Sequence, residues 1–85
     1  MKGAAINDFA QLVIAEVIRA RGLFPNPRML HAALAEEAGE VARALMDLDR
    51  GVVDRDHLVT ECVQLAAMAC RLALEGDPLF PSSAP

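Results

Sequence analysis

The sequence predicts an all-α fold, a helical bundle of three main helices per chain completed by oligomerisation. Apolar side chains recur at helical spacing over about residues 7–21, 27–50 and 55–75. Helix breakers punctuate these stretches: Gly22, Pro25 and Pro27 after the first, Gly51 after the second. The chain has 85 residues, of which 54% are apolar. A domain this small hides only about 60–65% of its unfolded surface, so a second copy is the natural cover for the rest.

In the first helix, Asn7 or Asp8 is expected to act as the cap, with Ile6 as the staple residue before it. Phe9, Leu12, Val13, Val17 and Ala20 form its apolar stripe. Glu16 falls inside that stripe. It is expected to pair with Arg19 or to sit on the rim, with a place near a ligand as the alternative. Gly22 is expected at the C′ position and Phe24 as a plug under the connection. Asn26 and Pro27 make an N-cap and N1 pair for the second helix.

The second helix carries Glu36, Glu37 and Glu40, three carboxylates within five residues. With Leu30 at zero, Leu34, Ala38, Val41, Leu45 and Leu48 cluster between roughly 0° and 80° at ~100° per residue. Glu37 falls at about −20°, inside the packed face, and Glu40 at about −80°, along its edge. A carboxylate buried alone costs several kcal/mol or binds a proton at higher pH. Gly39, between them, predicts a close neighbour. Gly51 closes the helix.

Asp54 or Asp56 caps the third helix. Two apolar stripes, Leu58–Cys62–Leu65–Ala69–Leu72 and Val59–Val63–Ala66–Cys70–Leu74, leave a narrow polar strip of His57, Thr60, Gln64, Arg71 and Glu75. A helix so apolar all round is central to its assembly. The second and third helices are expected to form an antiparallel hairpin. Glu40 lies ten residues before Arg50 and Glu61 eleven after it. Glu40 and Glu61 therefore fall at one height on facing helices. Residues 1–76 form the domain, and 77–85, rich in proline and serine, an extended or disordered tail.

The net charge of −4 argues against a nucleic-acid polymer as the partner, because such binding needs a basic patch. The apolar run Leu12–Ile18 is interrupted by Glu16 and is too short to span a bilayer, so no membrane partner is expected. Cys62 and Cys70 lie eight residues apart on one helix, about 12 Å by helical rise and too far to bridge. A reducing, cytoplasmic location is the expectation.

Oxygen ligands converging from two helices suit a hard cation, Mg²⁺ above all and Mn²⁺ as a substitute. Such an ion lets an acidic protein bind phosphates and activates water for attack on phosphorus. The pattern Glu36-Glu37-x-x-Glu40, twenty residues, then Glu61-x-x-Gln64 resembles the MazG-like nucleotide pyrophosphohydrolases of the all-α NTP pyrophosphatase superfamily. The likeness covers roughly residues 6–75. It implies Mg²⁺-dependent hydrolysis of a nucleoside triphosphate to monophosphate and pyrophosphate, a nucleotide-pool housekeeping activity, in a homodimer or homotetramer.

By the same resemblance, Glu37, Glu40 and Glu61 match metal ligands, and Glu36 matches an acid that binds metal or orients water. Gln64 stands where the family usually has Asp. It can ligate through its amide oxygen but brings no charge. Arg71, two turns beyond Gln64, is the candidate for the substrate phosphates, ahead of Arg43, Arg50 and Arg55. The alternative function is a non-catalytic helical oligomer of the same fold that binds a nucleotide, a metal or a protein partner.

Overall fold

The computed structural model describes residues 5–25, 30–77 and 80–81. The fold is all-α, with three helices: α1 (Ala5–Leu23), α2 (Leu30–Asp49) and α3 (Arg55–Glu75). Both α1 and α2 pack on α3 and barely touch one another. The helix with apolar residues on most of its circumference is therefore the central one, as its composition requires.

The α2–α3 hairpin turns on a Schellman motif. Val52 N–H donates to Asp47 O at 2.8 Å and Gly51 N–H to Leu48 O at 3.0 Å. Gly51 has φ +73°, a left-handed conformation that costs glycine nothing. Asp54 then caps α3, its Oδ1 accepting from His57 N–H at 3.0 Å. Gly76 closes α3 with φ 74°, its N–H donating to Leu72 O. Beyond it Gly76–Asp77 pair with Phe80–Pro81 in a two-residue antiparallel ladder, an extended conformation.

The ends of α1 differ from expectation. Ala5 is already helical, so Asn7 and Asp8 lie inside the first turn and neither is the cap. Gly22 is inside the helix, which runs one residue further, and Phe24 N–H still donates to Ala20 O at 2.7 Å. Phe24 is 63% exposed and plugs nothing. The Asn26–Pro27 cap lies outside the described residues.

The core is small. Among the described residues, Val17, Ala20, Ala44, Val63 and Ala67 are the buried apolar ones, and Arg71 is buried with them at 1% exposure. On α2 the inward face is rotated from the predicted stripe. Ala44 is fully buried, while Ala38 and Leu45 are exposed. Ala44 falls at about −40° on the wheel used above, so the rotation is toward Glu37. On α3 the supposed polar strip turns partly inward, since Val63, Ala67 and Arg71 are the buried positions. The wheel located the edges but not which gap between neighbours each edge would enter.

Candidate functional site

Glu37 is drawn into the α2–α3 interface by the same face that buries Ala44 and half-buries Val41 and Leu48. Its Oε2 is enclosed and has no hydrogen-bond partner. Burial first, and then the charges of Glu61, Glu40, Glu36 and Glu16, push its carboxyl above the usual glutamate range. Carboxylates from all three helices thus act on one desolvated oxygen. Such an atom calls for a proton, a donor or a cation.

Glu61 is half-buried on the facing helix. Its Oε1 lies 3.9 Å from His57 Nε2. Glu36 and Glu40 are exposed on α2. Among the described residues, no three carboxylate, imidazole or thiol groups stand close enough to share one metal ion in this arrangement. The donor chemistry fits a hard cation, and the orphaned Glu37 oxygen fits it best. Gathering Glu40 and Glu61 around one ion needs side-chain movement.

Gln64 lines a groove of about 300 Å³ between α1 and α3. Leu12, Ala15, Val59 and Val63 give that groove its apolar wall, and Glu16, Arg19, Thr60 and Gln64 its polar groups. Arg19 grips Glu16 with both ends of its fork, Nε to Oε1 at 2.8 Å and a terminal nitrogen to Oε2 at 2.6 Å. That bond first, and the Arg19 charge after it, hold the Glu16 carboxyl below its usual range despite partial burial. The expected i,i+3 pair is present. Glu16 nevertheless belongs both to the groove and to the acidic field around Glu37.

Arg71 does not face an open site. Its Nε and a terminal nitrogen donate to Glu75 at 2.8 and 2.9 Å, and that terminal nitrogen also donates to Phe24 O at 2.8 Å. Glu75 also accepts from Arg21 at 3.1 Å. Phe24 O lies just past the end of α1, where carbonyls lack helical donors. A cation there also complements the helix dipole. The residue assigned to phosphates therefore serves in this structure as a cap for α1 delivered from α3.

The Glu16–Arg19 pair was legible in the sequence, but the groove it borders was not. Glu16 lay on the apolar stripe of α1, which was the available signal. Arg19 and Thr60 carried none, because their place depends on how α1 docks against α3. The chain matches no protein-family model, no curated protein and no solved structure.

Proposed function

We propose that the chain is a Mg²⁺-dependent nucleoside triphosphate pyrophosphohydrolase of the MazG-like kind. The observation that carries the reading is the buried, unpartnered Oε2 of Glu37 in the field of Glu61, Glu40, Glu36 and Glu16. Glu37, Glu40 and Glu61 would hold the ion, with Gln64 approaching from the groove. Mg²⁺, or Mn²⁺ in its place, supplies charge neutralisation at the phosphates and a more acidic bound water. Glu36, exposed on α2, would orient a water or take its proton. The groove beside Glu16 offers an apolar wall for a base and polar groups for its edge.

A homodimer or homotetramer is part of this reading. The chain exposes 6073 Å², against about 4,900 Å² for a compact protein of this size. Its radius of gyration is 14.1 Å, against about 12 Å for a compact domain of this length. Ile14, Ile18, Leu45 and Leu74 are each about half exposed or more. The same exposure favours the second reading, a non-catalytic oligomer of the same fold. The absence of a ready three-ligand cluster among the described residues favours it too.

The test is a panel of nucleoside triphosphates assayed for pyrophosphate release with Mg²⁺ and with Mn²⁺. Release of pyrophosphate that is lost in Glu37→Gln supports the enzyme. No release from any triphosphate with either ion leaves the oligomer.

A further inference from the structure

We propose that Arg19 is the phosphate-binding cation of the α1–α3 groove, and that it exchanges Glu16 for the incoming phosphate. The inference rests on the reading of that groove and acidic cluster as a nucleotide site, and it adds a residue and an order of events to it.

Among the described residues, Arg19 is the one basic side chain lining the groove, across from Thr60 and Gln64 on α3. Its side chain is 55% exposed, so it can turn without unpacking the core. In this structure its fork is spent on Glu16, whose side chain is only 18% exposed. A guanidinium binds a phosphate through the same two-pronged geometry it uses for a carboxylate. The phosphate need displace only one partner. Arg71, two turns beyond Gln64 on α3, is enclosed and bonded to Glu75 and Phe24 O.

The exchange has a consequence for the acids. While Arg19 holds Glu16, the guanidinium offsets that carboxylate's charge. Once Arg19 moves to phosphate, Glu16 returns its full charge to the neighbourhood of Glu37, which already feels it. Among the described residues no three acids are gathered for one ion. Binding of the phosphate would therefore raise the affinity for the cation, and by linkage the cation would raise the affinity for the phosphate.

The experiment is calorimetric titration of inorganic tripolyphosphate into the full chain, free of divalent ions at low salt. Wild type, Arg19→Ala, Glu16→Gln and the double variant are compared. Loss of a charge-assisted fork in Arg19→Ala should weaken binding about tenfold to a hundredfold. Glu16→Gln should tighten binding by releasing Arg19, and this gain should vanish when Arg19 is already Ala. Equal binding by wild type and Arg19→Ala overturns the proposal. So does a Glu16→Gln gain of the same size in both backgrounds, or no binding by the wild type. Should Arg19→Ala lose its helical circular dichroism, Arg19→Lys carries the comparison, since it keeps the charge but not the fork.

Nucleotide turnover separates the two readings. Pyrophosphate release with the same KM in wild type and Arg19→Ala removes Arg19 and leaves the enzyme. Arg19-dependent tripolyphosphate binding without turnover of any nucleotide removes the enzyme and leaves Arg19.

Discussion

Of the charges acting on Glu37, that of Glu61 across the α2–α3 hairpin is the strongest. Two acids on facing helices, one with an enclosed and unbonded oxygen, do not stabilise a fold. The arrangement is a local cost that a cation would reverse. Thermal melting should show it: millimolar Mg²⁺ or Mn²⁺ should raise the midpoint of the wild type, because an ion held only by the folded state stabilises it. No shift with either ion would count against the metal site.

Glu37→Gln should raise the midpoint in metal-free buffer. Removing one desolvated charge should stabilise by about 1 kcal/mol, or roughly 4–8 °C for a domain of this size. The same variant should lose the Mg²⁺-dependent shift and all pyrophosphate release. A lower metal-free midpoint would mean that the carboxylate has a partner in solution.

The pH dependence has two opposed parts. Folded Glu37 binds its proton more tightly than the unfolded chain does. Its penalty is therefore absent well below the ordinary glutamate value of 4.5 and grows as pH rises through and above it. Glu16 and Glu75 are shifted the other way by their arginine partners, so their stabilisation is present above 4.5 and is lost as pH falls below it. Metal-free midpoints measured from roughly pH 3 to 8 should show Glu37→Gln gaining on the wild type as pH rises. A constant difference would assign the variant's effect to packing.

Arg71→Ala should destabilise the chain by roughly 2–4 kcal/mol, less than a fully buried pair because Glu75 keeps some solvent and Arg21. The loss should appear in urea unfolding, with faster amide exchange at the C-terminal end of α1, where Phe24 O would lose its donor. Little change in stability would return Arg71 to the pool of residues available to phosphates.

Gly39 was expected to admit a close neighbour, yet a Cβ added there meets nothing within 4 Å, and its φ is not left-handed. Within one chain, Gly39→Ala should therefore stabilise α2 by about 0.5–1 kcal/mol. Destabilisation instead, together with a smaller assembly by light scattering, would place a second copy against that face.

What was legible in the sequence followed from period and punctuation. The three helices, the left-handed Gly51 and the Asp54 cap are written in local chemistry that tertiary structure has no reason to override. Glu37 was also readable, because one angle on one helix decides it. Arg71 and Gln64 were not. Their strip is an edge of α3, and whether an edge meets water, α1 or α2 depends on where the neighbours dock. The side chain of Phe24 failed for a related reason. Its neighbour Pro25 fixes where the chain turns, but not which way the ring points.

The hairpin of α2 and α3 is closed by a five-residue connection, whereas α1 reaches its seat on α3 only across the whole of α2. Pairings between near neighbours in a chain form early, and distant ones wait for the loop to close. Glu37 and Glu61 should thus be brought together in the first event of folding, and the groove should be assembled in the last. A chain caught between these events would display its acids with no room yet made for a ligand.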